Sequence, residues 1–444
     1  NTVTAGNQYA PKNAGLANGT FVTTWISGSG ADADVYAQRF DANGNKLGTE
    51  FRVNSYTTSY QGDSNAGEYY LDVTSITGGG FVVTWTSNAQ DGSGFGVYAQ
   101  RFTADGGKIG GEFLVNTITT SSQIAPQIAS LHDGGFVVAW ANPSTGTYDV
   151  ATQRFDANGN KVGTETIVNT TTAQDQGAQF GVDQNGLSVT GLKNGGYVVT
   201  WFSENASGVA DDVFARIYKP DGTPLTPQLG INGTLAGVQW LPVVTQLTDG
   251  GFLVTWISAD GSGQGNGLFG QRFTSAGVAV GTEFRLNTTT LGEQGAVVSG
   301  DRAHDVVGLV GGGWVATWYD SAKDGSSGGI YYQIYDANGQ KLGAETRVNK
   351  TTADEQRYPT ITALADGGFA IAWESNLQDS ANYGVYQKVY EANGLERLSL
   401  PPTDVLVNTA VASDQLVPKS AALADGGHVV VWASNQAADA NGTW

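Results

Sequence analysis

A five-residue run ending in tryptophan, Phe81-Val82-Val83-Thr84-Trp85, returns along the entire chain. Its copies lie at Phe21 to Trp25, Phe136 to Trp140, Tyr197 to Trp201, Phe252 to Trp256, Trp314 to Trp318, Phe369 to Trp373 and His428 to Trp432, eight in all. Successive tryptophans at the ends of these runs are 55 to 62 residues apart, a fixed period that makes each copy one supersecondary unit of a repeat architecture. Two or three unrelated domains in 444 residues are thereby excluded.

Each period reads as four short strands, A to D. Strand A, such as Pro126 to Leu131, runs into an Asp-Gly-Gly turn seen at Asp133, Asp249, Asp366 and Asp425. That turn supplies the positive-φ positions of a tight hairpin and delivers the chain into strand B, the tryptophan run. Strand C is Val97 to Phe102, matched by Val35 to Phe40, Val150 to Phe155, Val213 to Tyr218, Leu268 to Phe273, Ile330 to Tyr335 and Val385 to Tyr390. A turn such as Asp41 to Asn45 opens strand D, whose Val-Asn or Leu-Asn ending recurs at Asn54, Asn116, Asn169, Asn287 and Asn408.

Strand B is apolar on both faces, with Phe81, Val83 and Trp85 on one and Val82 on the other. A sheet stacked between two neighbours needs that, whereas a two-layer sandwich shows cleaner alternation. The fold class expected is all-β: a β-propeller of four-stranded antiparallel blades, about eight, seven complete plus one incomplete. A seven-bladed ring is the alternative. The whole of 1–444 forms one repeat domain, and a chain with no Met suggests a fragment of a longer polypeptide.

The spacing alternates because the D-to-A link is longer before copies two, four and six, where it begins Gln61-Gly62, Gln176-Gly177 and Gln294-Gly295. The other copies carry Pro11, Pro126, Pro242, Pro359 and Pro418, which are expected at the start of strand A, where a missing amide donor does least harm.

The segments DGGFVVTW, DGSGFGVYAQRF and DANGNKLGTEFRVN, with their NTTTA-type links, resemble repeats of very large secreted bacterial proteins of the haemolysin-type calcium-binding and adhesin kind. The resemblance spans essentially the whole chain. It implies an extracellular or cell-surface location and a role in adhesion or surface assembly, and no defined enzyme activity. The glycine-rich nonapeptide of the associated calcium modules is absent.

A formal charge of −19 repels phosphate backbones, so neither nucleic acid nor an anionic membrane is an expected partner, and no run is apolar enough for membrane insertion. Calcium is the one candidate cofactor. The B-to-C loops offer Asp91, Asp260, Asp324 and Asp379 as metal ligands, but one acid per loop falls short of the six to eight oxygens of a good site, so turn chemistry is the stronger reading. Insertions on a repeating scaffold map to a binding face, which singles out the three long links. There Glu68, Tyr69, Tyr70 and Asp72 have the chemistry to stack on and hydrogen-bond a sugar, with Phe180 and Asp183 in the second link. Arg302, His304 and Asp305 in the third have the composition of an acid–base set. The competing reading makes these links a longer way into strand A.

No catalytic set can be assembled from three histidines in unrelated positions and no predicted helix. The expectation is a non-enzymatic repeat scaffold or adhesion module, partnered by copies of itself or by a cell-surface glycan. A carbohydrate-binding propeller is the alternative, and a polysaccharide lyase or hydrolase comes third.

Overall fold

The computed structural model describes residues 8–28, 32–62, 70–143, 147–172, 174–177, 186–204, 211–233, 237–259, 265–295, 303–378, 383–397, 404–409 and 413–434. Seven four-stranded antiparallel sheets follow one another, each with its strands in chain order A, B, C, D. Blade two is typical: Leu71–Ser75, Phe81–Asn88, Phe95–Phe102 and Lys108–Leu114. The eighth repeat contributes a two-stranded sheet, Gln415–Ala422 and His428–Ser434.

The A strands lie innermost. Each packs on the A strand of the blade before and after it, and Gln415–Ala422 packs on both Gln356–Ala363 of blade seven and Gln8–Gly15 of blade one. This closes a propeller of seven complete blades, with the two-stranded unit between the last and the first. The closure is tight: a methyl group at Gly15 would lie 1.9 Å from the Ala422 carbonyl oxygen.

The core lies between blades. Trp85, Trp140, Trp201, Trp256, Trp318 and Trp373 are fully buried, as a strand covered on both faces requires. The first aromatic of each B strand also stacks on the aromatic that ends strand C, from Phe21–Phe40 to Phe369–Tyr390, with ring centroids 4.6 to 5.2 Å apart. Such cross-strand pairs fix register by direct contact.

The prolines sit inside strand A rather than at its start. Each follows a non-glycine residue in the left-handed region, Ala10, Ala125, Leu241, Tyr358 and Val417, with φ between 50° and 54°. All five positions fall in a register shift of the A–B ladder. Proline is tolerated there because a bulged residue donates no ladder hydrogen bond. In blades two, four and six the Gln-Gly pair bridges the end of strand B, at Gln61 with Ser87, Gln176 with Ser203 and Gln294 with Asp320, before a short strand A begins. The long link is therefore an insertion where the other copies carry the bulge.

Candidate functional site

Antiparallel succession puts the A-to-B and C-to-D turns on one face of the propeller and the D-to-A links and B-to-C loops on the other. The described residues singled out in those links and loops therefore belong to a single face. Glu68, Tyr69, Phe180, Asp183, Asp260, Arg302 and Asp379 lie outside the described residues.

The remaining candidates are part of the framework. Tyr70 is 3% exposed, so it presents no ring face to a sugar. Asp72 accepts the Val73 amide at 3.0 Å and, across the blade boundary, the Ile128 amide at 3.0 Å. Asp305 repeats this at the next-but-three boundary, accepting Val306 N–H at 2.9 Å and Ile361 N–H at 3.1 Å. Ser188 occupies the corresponding slot of blade four and accepts Val244 N–H at 3.3 Å. These three side chains tie the short A strands to the bulged ones. His304 is buried and lies 3.4 Å from the Gly295 carbonyl, and as neighbours in one strand His304 and Asp305 point to opposite faces of the sheet. The structure brings no acid–base set together from them. Asp72→Ala is expected to lower stability by about 1–2 kcal/mol, the cost of an orphaned amide at Ile128. Chemical denaturation checks this, with no change of ligand affinity expected.

Asp91 and Asp324 each use one carboxylate oxygen to accept the amide two residues on, Ser93 at 3.2 Å and Ser326 at 2.9 Å, which is turn chemistry. They stand in blades two and six. Among the described residues no group of three or more His, Asp or Glu is placed to hold a metal ion. The Asp-Ala-Asn-Gly turns close on themselves: Asp41 accepts the amides of Asn43 at 2.9 Å and Asn45 at 2.8 Å, and Asp156 and Asp336 do the same.

Two strand-C arginines serve the neighbouring blade and two their own. Arg39 donates to the Asp105 carbonyl at 2.8 Å and Arg101 to the Ala157 carbonyl at 2.6 Å, while Arg154 and Arg272 pair with Asp133 and Asp249. At the rim, strand-D carboxylates accept amides from the turn after the preceding blade's Asn. Glu165 takes Thr117 and Ile118, Glu283 takes Gly233, Glu345 takes Thr288 and Asp404 takes Lys350 and Thr351.

One network unites all these blades. The strand-D Asn accepts the backbone N–H of strand C at 2.7 to 2.8 Å in seven copies, from Asn54 with Val35 to Asn408 with Val385. Seven residues further on stands a buried Gln. Its side-chain oxygen accepts the tryptophan indole N–H in blades two and four, at 2.9 and 3.1 Å, and the Asn amide in blades three, five, six and seven, at 2.8 to 3.1 Å.

Blade seven departs from the repeat on the link-and-loop face. Where Tyr9 faces Ile26 and Trp240 faces Ile257 across the A–B ladder, Arg357 faces Glu374. Arg357 Nε donates to Glu374 at 3.0 Å and its NH1 to Glu355 at 3.3 Å, and its guanidinium lies 4.0 Å from the Tyr383 ring centroid and 5.0 Å from that of Tyr358. Tyr383 donates to Glu355 at 2.9 Å. Glu374 is fully buried, and burial pushes its carboxyl up to about 7, only partly opposed by the Val417 amide and Arg357. Burial and the neighbouring Glu355 push the Tyr383 phenol up to about 12. The signal in the sequence was a charge in each of two slots that carry none in the other copies.

No family model matches the chain, and no curated protein does. Among solved structures it is similar to the polysaccharide lyase Uly1, at 10% identity over 88% of this chain and 91% of that one, TM-score 0.49. The Dos1 propeller is similar at 10% identity over 98% and 93%, TM-score 0.48. An α-L-arabinanase from Penicillium chrysogenum complexed with arabinobiose is similar at 14% identity over 88% and 94%, TM-score 0.42.

Proposed function

We propose that the chain is a non-enzymatic repeat scaffold of an extracellular or cell-surface protein, serving adhesion or surface assembly. The observation that carries this reading is the use made of the repeated polar groups. Acids, amides and arginines that recur from blade to blade are spent on closing turns, bracing strands within a blade and tying one blade to the next, which builds stiffness rather than a reactive cleft. The resemblance of the repeats to those of large secreted bacterial adhesin-type proteins supports the location.

A carbohydrate-binding role is the second reading, supported by the half-buried Tyr358 and Tyr383 flanking Arg357 on the link-and-loop face. Both are tested by one pair of measurements. Incubation with acidic polysaccharides and with arabinan is expected to release neither unsaturated uronates nor reducing ends, and measurable turnover would overturn the scaffold reading. Beads coated with the chain are expected to adhere to whole bacterial cells. Adhesion abolished by Tyr383→Ala and by competing free glycan would transfer the function to the second reading, and no adhesion at all would leave the first without its role.

A further inference from the structure

Two departures from the repeat meet inside blade seven. One buried slot of strand C holds Gln38, Gln100, Gln153, Gln271 and Gln333, each donating its side-chain amide to the carbonyl of the residue after it. Blade four has Arg216 in that slot and blade seven has Lys388. Four residues before the strand-D Asn stand Glu50, Glu112, Glu165, Gln228, Glu283 and Glu345, and in blade seven the shorter Asp404. The two exchanged side chains touch: Lys388 Nζ lies 3.2 Å from Asp404 Oδ1.

Their surroundings favour more than an ion pair. The Lys388 side chain is 4% exposed and that of Asp404 is fully buried, a setting in which keeping two charges out of water is costly and the neutral amine and acid gain on them. Nζ is held by the Val348 carbonyl at 2.7 Å. The Asp404 carboxylate accepts the Lys350 N–H at 2.9 and 3.0 Å, the Thr351 N–H at 3.1 Å and the Gln378 side-chain amide at 3.2 Å. Such fixed donors draw charge from the carboxyl carbon and suit the oxyanion of a tetrahedral adduct. Glu396, with its carboxylate 3.6 Å from Nζ and still reached by solvent, supplies a third group able to carry a proton.

We propose that Lys388 and Asp404 condense to an intramolecular amide, with Glu396 as the proton relay. The ammonium gives one proton to Glu396, and the freed Nζ lone pair attacks Asp404 Cγ. The Nζ–Cγ bond forms and one Cγ–O bond breaks. The departing oxygen takes the proton held by Glu396 and a second one from Nζ, and leaves as water. Ammonium and carboxylate thus become amide and water, with no oxidant, reductant or cofactor. Fixed proximity contributes an effective concentration on the order of 10⁵ M or more, and burial withholds the water needed for the reverse step. The amide joins strand C to strand D in a blade whose D strand, Val405–Leu406, has 2 residues where blade six has 7. Blade four has an equally short D strand, Leu229–Gly230, but Arg216 and Gln228 fill its two slots, and Arg216 donates to the Val168 carbonyl at 2.9 Å instead.

The test is mass spectrometry of the purified 444-residue chain. The intact mass is expected to fall short of the sequence mass by one water. Trypsin is expected to leave residues 358–397, uncut after Lys388, joined to residues 398–419. Lys388→Arg keeps a cation beside Asp404 but no condensing amine, and should give the full mass and separate peptides from a folded chain. Glu396→Gln should gain the cross-link on the order of a hundredfold more slowly. A folded chain of full mass overturns the proposal, as does a water loss that hydroxylamine traces to an Asp-Gly succinimide. A cross-link formed at undiminished rate in Glu396→Gln overturns the relay.

Discussion

Trp201→Ala is expected to lower the free energy of unfolding by about 3–5 kcal/mol, whereas Trp432→Ala, the same repeat position in the eighth sheet, should cost roughly half of that or less. Trp201 is fully buried and packs into the cluster between blades three and four, with Ala139, Val150 and Leu187 around it. Its loss removes a large apolar surface and also orphans the Gln176 side-chain oxygen that accepts its indole N–H at 3.1 Å. An unsatisfied buried acceptor adds a penalty on the order of 1–3 kcal/mol where no water reaches it. Trp432 makes the equivalent bond to Gln415, yet its strand is only partly buried, so solvent already bears part of what alanine would expose. Denaturant melts of both variants, read as midpoint shifts at constant slope, measure the difference. Equal losses would mean that the eighth sheet is as deeply packed as the complete blades.

The period of the tryptophan run made the blade legible, because a strand apolar on both faces has few places to go except between two other sheets. The turns were legible for the same local reason: Asp133, Asp249 and Asp366 each accept the amide two residues on, as an Asp-Gly-Gly hairpin predicts. What local pattern does not carry is which polar group crosses a blade boundary. Asp72 reads equally well as a sugar ligand, and Asp305 as part of an acid–base set, until the Ile128 and Ile361 amides are seen to lie against them. The Asn and Gln seven residues apart, present at all eight junctions from Asn1 and Gln8 to Asn408 and Gln415, were visible as a spacing. Their purpose was not, because the atoms they satisfy come from strands B and C, tens of residues away. Proline in a strand reads as an edge or a start, and the left-handed residue before each one was hidden because Ala, Leu, Tyr and Val do not advertise positive φ.

The seam between blade seven and the eighth sheet should respond to pH in two opposite ways. Glu374, on blade seven, accepts the Val417 amide of the eighth sheet, and His428, on the eighth sheet, lies 2.8 Å from the Gln387 side-chain oxygen of blade seven. Around the Glu374 carboxyl stand Arg357, Glu355 and Tyr383, all from blade seven. Its folded-state pKa, about 7, lies above the ordinary 4.5, so the folded chain holds the proton more tightly than the unfolded one. That stability is fully present below pH 4.5, falls as pH rises and is gone above about 7, a loss on the order of 3 kcal/mol. Burial, then the nearby charge of Arg397, lowers the His428 pKa below 6.5, so its contribution has the reverse sign: present above 6.5 and lost as pH falls through the depressed value. Between the depressed His428 value and 6.5 the two slopes therefore oppose one another, and from 6.5 to about 7 the Glu374 decline stands alone. Melting points measured from pH 4.5 to 8 should show Glu374→Gln removing the decline toward pH 7, and His428→Gln removing the opposing rise below 6.5, so that the decline there becomes steeper. If Glu374→Gln keeps the full decline, the carboxyl is ionised throughout and the Arg357 pair, not burial, governs it.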